Sequence, residues 1–371
     1  MKKILVTGSG GFLGKNLCFA LKEKGFSLVY FDKENSIQDL ESSISKVDLI
    51  YHLAGVNRPE EEKEFLEGNY LLTKKIIDLL KSKGIKIPIV YSSSIQVEFD
   101  NPYGNSKRLA EEELIRYSEE NKTLLFIYRL SNLFGKGAKP NYNSVVATFC
   151  YNLSRDLPIS ISDEKKEISL SYVDEVINEF INCIGKLNEK DNKDKIIFFD
   201  KMYKITLRDL VNKIRDFKEM RNEIHVPKFS DNLTKYLYST YLSYLPQNTF
   251  SIPLVSHKDE RGSFTEFIKT FDSGQISVST SKPGITRGNH YHNTKTERFF
   301  VLKGKASIKF RNIFENKIIE YLVSEDDPKI VDIPPGYAHN ITNISDKEMI
   351  LLIWANEEFD SKNPDTYPHK V

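Results

Sequence analysis

Apolar positions along this chain follow two different rhythms. From residue 3 to about residue 130, short apolar runs alternate with longer stretches whose apolar residues recur at helical spacing. The runs Lys3–Thr7, Leu28–Asp32, Asp48–Leu53, Pro88–Ser93 and Leu124–Leu130 read as strands. The stretches Lys15–Lys24, Ile37–Ile44, Phe65–Lys83 and Pro102–Glu120 read as the helices between them. Such a strand-helix series predicts an α/β, doubly wound parallel sheet with helices on both faces. Beyond residue 255 the rhythm changes to short β-rich runs, among them Gln275–Ser279, Arg298–Leu302, Ala306–Phe310 and Met349–Trp354, with turn residues between them. That half reads as all-β. A tyrosine-rich stretch, Tyr236–Tyr244, reads as a last helix that packs aromatic rings, and Leu245–Thr249 as a linker. The expected domains are therefore residues 1–245 and 246–371, a division that 371 residues comfortably allow.

Bulk charge narrows the function classes. A formal net charge of +1 leaves no electrostatic footprint for nucleic acid or a membrane surface. Acidic runs such as Glu60–Glu64 and Glu111–Glu113 read as solvated helix faces. The longest apolar run, Met349–Ala355, is too short to span a bilayer. The N-terminus enters directly into a strand with no signal-peptide pattern. Cys18, Cys150 and Cys183 lack metal or redox spacing. A cytoplasmic protein is the expectation.

The first strand runs into Gly8-Ser-Gly-Gly11-Phe12-Leu13-Gly14. Glycines let the backbone turn tightly and approach a pyrophosphate, and the following helix start offers free N–H groups. Placed between a strand and a helix, this turn predicts a Rossmann-type dinucleotide site. Asp32, at the end of the second strand, would bind ribose hydroxyls and favour NAD, whereas Lys33 would meet the 2′-phosphate of NADP. Tyr103 and Lys107 are four apart on a helix, hence on one face. An ammonium there is expected to lower the tyrosine pKa toward neutrality, as proton transfer requires. Ser94 would hold the substrate oxygen, with Ser93 as the alternative. Tyr103 follows Ser94 after only a short loop, which predicts an open active site.

These positions, in this order, resemble the extended, sugar-nucleotide branch of the short-chain dehydrogenase/reductase superfamily. The matching elements are the glycine turn, His52-Leu53-Ala54-Gly55, Ser92–Ser94, Tyr103-x3-Lys107, Arg129-Leu-Ser-Asn132-Leu-Phe-Gly135 and Tyr172-Val-Asp174. The resemblance implies that Ser94, Tyr103 and Lys107 are catalytic. It also implies that Gly8, Gly11, Phe12, Leu13, Gly14, Asp32, Lys33, Leu53, Ala54, Gly55, Tyr103 and Lys107 line the cofactor. Asn132, and Asn143 in the polar segment Lys139–Ser144, are the substrate candidates.

Three of the chain's seven histidines lie in two short patches, Gly284–Glu297 and Pro334–His339. Residues two apart on a strand point the same way, so His290 and His292 can face one point. Glu297 and His339 would complete an N/O set suited to zinc or another divalent first-row metal. The alternative is a sugar-binding barrel whose histidines hydrogen-bond substrate directly. The patches resemble the two motifs of the cupin barrels, over roughly residues 255–360.

The chain as a whole resembles a family of bifunctional capsular-polysaccharide enzymes, through His52–Pro59, Lys139–Ser144, Tyr238–Pro246 and Asp259–Lys269. That resemblance implies C-3 epimerisation of a UDP-4-keto-2-acetamido-2,6-dideoxyhexose in a zinc cupin domain. NADPH-dependent C-4 reduction in the N-terminal domain would follow, giving UDP-2-acetamido-2,6-dideoxy-L-talose on the route to UDP-N-acetyl-L-fucosamine. It further implies a UDP-sugar partner and a homodimer. The acidic Asp32 departs from the NADPH expectation, so NADH stays open. Two other readings remain: a plain reductase with a structural, dimerising cupin, and a 4,6-dehydratase. Ile95 and Gln96 after Ser94 disfavour the dehydratase, which usually carries an Asp-Glu pair there.

Overall fold

The computed structural model describes residues 2–187 and 196–371. Its first unit, residues 1–214 with 235–245, opens with strand β1 (Lys3–Thr7), helix α1 (Phe12–Glu23), β2 (Ser27–Phe31), α2 (Ile37–Ile44) and β3 (Leu49–His52). Next come a short α3 (Lys63–Phe65), a π-helical turn at Leu66–Leu71 and α4 (Leu72–Ser82). After these follow β4 (Ile89–Ser94), α5 (Pro102–Asn121), β5 (Leu125–Leu130), β6 (Asn132–Phe134), α6 (Val145–Leu153), β7 (Glu167–Tyr172) and α7 (Val173–Lys186). The unit continues with β8 (Ile196–Phe198), β9 (Tyr203–Thr206) and the start of α8 (Leu207–Asn222).

Strands in the order β2-β1-β3-β4-β5-β8 form one sheet, every pairing parallel. Side-chain alternation builds a core on each face. Ile4 and Val6 point to one side, with Leu17 and Leu21 of α1 and Val176 and Phe180 of α7. Leu5 and Ile50 point to the other, with Ile76, Ile77 and Leu80 of α4 and Leu114 of α5. The doubly wound sheet expected from the apolar rhythm is present. The chain leaves β1 for β2 on one side and returns to β3 on the other, so the crevice above β1 and β3 is a topological switch point.

The stretch 65–83 is expected to be one long helix, and the structure differs: a π-turn interrupts it at Leu66–Leu71. A Cβ on Gly68 would lie 2.4 Å from Val56 Cγ2. The π-turn instead brings buried Asn69 against the loop after β3, where its side chain bonds Val56 N (2.9 Å) and Val56 O (3.0 Å).

Helix α8 passes from the first unit into the second, which comprises residues 215–234 and 246–371. The second unit holds β10 (His225–Val226), and α9 (Asn232–Ser243) returns the chain to the first. Then follow β11 (Ser256–Asp259), β12 (Gly262–Thr270), β13 (Gly274–Ser281), β14 (Thr286–Tyr291), β15 (Glu297–Lys303), β16 (Lys305–Asn312) and β17 (Ile318–Ser324). The last strands are β18 (Ile330–Ile333), β19 (Tyr337–Asn343), β20 (Met349–Ala355) and β21 (Tyr367–Pro368). The chain thus crosses between the units before the expected boundary at residue 245 as well as at it. Residues 215–234 belong with the second unit because β10 pairs with β12 and His225 Nε2 lies 2.8 Å from Glu358 Oε1.

Two β-sheets make the second unit, β17-β16-β19-β14-β21 and β10-β12-β13-β20-β15-β18. Phe299, Val301, Ile308, Phe310, Ile341 and Leu351 fill the core they enclose. In the tyrosine-rich helix Tyr236 stacks on Tyr172 at 4.1 Å, and just past its end Tyr244 donates to Ala138 O at 2.6 Å. That is the packing role expected. All three cysteines are buried and unpaired. Among the described residues no helix is long and apolar enough to cross a membrane.

Candidate functional sites at the switch point and in the β-sheet unit

Glycine is required at two points of the β1–α1 turn. Gly8 has φ +68°, and a Cβ there would stand 2.7 Å from Ala54 N; at Gly14 it would stand 2.0 Å from Gly8 O. α1 begins at Phe12, earlier than the sequence suggested, and its N-cap Gly11 supplies no side chain. The first-turn amides therefore face the crevice without a side-chain cap, as an anion site needs. Phe12 and Leu13 turn their side chains into the core. Asp32 accepts from Ser9 Oγ (2.6 Å) and Gly10 N (2.5 Å), so its Oδ2 already braces the glycine turn. Lys33 is exposed beside it.

The opposite wall is the end of β3. Leu53 N donates to Thr7 O (3.2 Å) and Ala54 N to Thr7 Oγ1 (3.2 Å). His52 is fully buried between Thr7 Oγ1 and Thr73 Oγ1, each 2.8 Å away. Thr73 gives its only hydroxyl proton to Asn69 O, so Nε2 of His52 must donate and Nδ1 accept. Burial first, then Lys107, pushes the imidazole down to about 3, so it stays neutral. Gly55 faces the Lys107 side chain: a Cβ there would lie 3.1 Å from Lys107 Nζ.

Asn101 caps α5 through Gly104 N (2.8 Å) and starts the helix just before Tyr103. Tyr103 lies against Ser94, whose hydrogen bond works against the larger effect of burial, and the phenol pKa is raised. The expected lowering by Lys107 is therefore not found in the protein alone, because desolvation dominates. Lys107 is buried, donates to Ser92 O (3.0 Å), and sits 4.8 Å above the Tyr91 ring. Burial lowers it to about 8, and Glu111, one turn on, opposes that shift.

Ser93 points away from this constellation. Its Oγ donates to Glu111 Oε1 at 2.5 Å, which leaves Ser94 as the serine beside Tyr103. Glu111 also takes a two-pronged contact from Arg129 Nε (3.1 Å) and Nη2 (2.6 Å). The reading of Glu111 and Glu113 as solvated is corrected: both are buried. Asn69 was missed as well. It donates to Ser106 Oγ (2.9 Å), which donates to Tyr103 O, and so ties the π-turn to the start of α5. An asparagine inside an apolar helical pattern was the available signal. Of the substrate candidates, Asn132 on β6 bonds Ser169 O (3.1 Å), and Asn143 is exposed in the turn before α6.

In the second unit, His290 on β14 stands opposite His339 on β19. A bulge between Gly288 and His290, with Asn289 at φ +59°, breaks the regular alternation there. His292 follows the end of β14 and Glu297 begins β15. One ligand atom from each of the four lies within 4.8 Å of all the others. Three imidazoles and a carboxylate fit a borderline divalent cation, whose bonds to such atoms are about 2.0–2.2 Å. A second observation agrees: His339 Nε2 is buried without a hydrogen bond, although Glu297 Oε2 is 3.4 Å away. Burial opposes the Glu297 charge, yet contacts to His292 and His339 hold it near 2. Burial presses His290 down to about 4.

The family model described as NAD dependent epimerase/dehydratase family matches residues 4–197. One described as polysaccharide biosynthesis C-terminal domain matches residues 257–367. A UDP-2-acetamido-2,6-beta-L-arabino-hexul-4-ose reductase from Pseudomonas aeruginosa is 46% identical over 371 residues, covering 100% of this chain and 99% of that protein. The crystal structure of the capsular polysaccharide assembling protein CapF from Staphylococcus aureus is 46% identical, with a TM-score of 0.91 over 99% of this chain and 100% of that one. The Thermus thermophilus UDP-glucose 4-epimerase complex with NAD shares the fold alone: 17% identity and a TM-score of 0.54 over 65% of this chain and 98% of that one. With its parallel sheet, glycine turn and full-length likeness to a sugar-nucleotide reductase, the chain belongs to the NAD dependent epimerase/dehydratase family, uses a nicotinamide cofactor, and carries a polysaccharide biosynthesis C-terminal domain.

Proposed function

We propose that this protein is a bifunctional UDP-4-keto-sugar enzyme of surface-polysaccharide synthesis. The second unit would epimerise C-3 of a UDP-4-keto-2-acetamido-2,6-dideoxyhexose, and the first would reduce the C-4 ketone to UDP-2-acetamido-2,6-dideoxy-L-talose. The observation that carries the reductase half is the Ser94–Tyr103–Lys107 constellation beside the switch point, with Ser94 and Lys107 buried. The full-length likeness to a hexul-4-ose reductase supports the substrate class.

A nicotinamide held at the glycine turn would be the source of hydride for C-4. Ser94 Oγ would hold the carbonyl oxygen, and Tyr103 would give that oxygen its phenolic proton. Burial keeps the phenol protonated, which suits a donor in the reducing direction. The Lys107 ammonium then stabilises the phenolate left behind. NADPH is taken as the reductant on family resemblance. The bonds from Asp32 to Ser9 and Gly10 give that carboxylate a structural task apart from any ribose contact. A homodimer, and Asn132 and Asn143 as substrate contacts, belong to the same reading.

His290, His292, Glu297 and His339 would hold the divalent metal, zinc on the strength of the donor set. Such a cation supplies Lewis-acid stabilisation of negative charge on a carbonyl oxygen, the requirement for losing the C-3 proton. The test is solvent exchange: a UDP-4-keto-hexose in heavy water, without nicotinamide, should take up deuterium at C-3. His290→Gln should abolish that uptake while a pre-epimerised 4-keto sugar is still reduced. Wild-type exchange by a folded, metal-free His290→Gln protein would leave the metal a structural role only. That outcome would favour a reductase with a structural second unit.

A further inference from the structure

The segment after β20, from Asp360 to Val371, is polar and offers no apolar pattern that would dock it. It nevertheless lies along the edge of the histidine cluster. β21 pairs with β14 at His290↔Pro368 and Tyr291↔Tyr367, and the two tyrosine rings stack at 5.2 Å. His369 N donates to Asn289 O at 2.8 Å, beside the bulge that precedes His290.

Asp365 sits at the centre of this strap with φ +35°. Its Oδ1 accepts from Asn293 N (3.0 Å), and its Oδ2 from Thr294 N (2.9 Å), Lys295 N (2.8 Å) and Thr294 Oγ1 (3.1 Å). Those three consecutive amides form the turn that joins His292 to Glu297. Lys295, itself buried, closes the clasp by donating from Nζ to Pro364 O at 2.8 Å. The main-chain oxygen of Asp365 also lies 2.6 Å from His292 Nδ1. A carbonyl can only accept, so Nδ1 carries a proton, and a neutral ring then offers a bare Nε2. That Nε2 is the atom facing Glu297, 3.4 Å from its Oε2.

We propose that Asp365 is the positioning residue of the His290/His292/Glu297/His339 centre. Its carboxylate sets the turn between two of the four ligands, and its carbonyl selects the His292 tautomer that presents a ligand nitrogen. Partners of this kind, one step back from the ligands, commonly govern metal affinity. The inference rests on the metal reading above, and its test separates the two.

Zinc ion alone is titrated into the full-length chain against a chromophoric chelator, for wild type and Asp365→Ala. The variant should bind zinc about 10–100-fold more weakly, with nicotinamide affinity unchanged. A structural role alone would lower the melting temperature equally with and without zinc and leave zinc affinity at the wild-type value; that result overturns the proposal. Should Asp365→Ala not fold, nitrogen-15 NMR of zinc-loaded wild type decides. His292 must carry its proton on Nδ1 and bind through Nε2, and the opposite tautomer refutes the assignment. A wild type that binds no zinc would sink the metal reading itself, and the inference with it.

Discussion

Replacing Glu111 by Gln keeps the side-chain shape and removes one buried charge, with two separable consequences. The first is stability. Glu111 is 3% exposed and receives two bonds from Arg129, whose side chain is itself only 17% exposed. Removing one member of a buried pair costs about 3–5 kcal/mol, and Gln retains some bonding, so about 3 kcal/mol is the working figure. At about 2–4 °C per kcal/mol for a domain of this size, the melting temperature should fall by about 6–12 °C. The second is catalytic. Burial has already lowered Lys107 to about 8, and Glu111 is the group that raises it. On the proposed mechanism the ammonium is the working form, so reduction should hold below this pKa and decline above it. Without Glu111 the pKa falls further, and the declining limb of kcat/KM for ketone reduction moves to lower pH. Rates of nicotinamide oxidation measured between about pH 6 and about pH 9 would show the displacement. A folded Glu111→Gln protein whose declining limb stays at the wild-type pH would refute the claim that Glu111 sustains the Lys107 charge.

Tyr103→Phe should slow ketone reduction at least about a hundredfold, the scale for losing a general acid, and leave C-3 exchange intact; near-normal nicotinamide oxidation would remove Tyr103 from the mechanism. NADPH should be preferred over NADH, and Asp32→Ala should change that preference little; a clear wild-type preference for NADH would mean that Asp32 reads the ribose hydroxyls. Gly14→Ala would force a methyl to within 2.0 Å of Gly8 O. The resulting strain of about 1–3 kcal/mol should weaken nicotinamide binding about tenfold or more by calorimetry; unchanged affinity would show that the turn yields without cost.

The parts of the fold that were legible in the sequence are those set by local period. Ile4 and Val6 separate from Leu5 onto opposite cores because strand residues alternate, and that can be read without coordinates. The glycine turn and the tyrosine–lysine spacing were legible for the same reason. What escaped was fixed by residues far apart in sequence. Nothing near Glu111 announces that Arg129 will reach it from β5. The π-turn depends on Gly68 meeting Val56 and on Asn69 clamping the loop after β3. Ser93 and Ser94 look alike until Glu111 is seen to take the first. Asp365 reads as one acid in a polar tail, since its partners lie at residues 292–295.

The crossing of the chain between its two units at α8 and α9 bears on how the protein is made. A ribosome releases His225 well before Lys269, the residue on β12 with which it pairs. At about 5–20 residues per second, the β10 segment must wait seconds for its partner strand. During that wait the nascent chain moves on to complete α9 and with it the first unit. A gene cut after codon 245 would leave the second half without β10 and leave His225 without Glu358. The second half, divided there, would lack the strand at one end of its larger sheet.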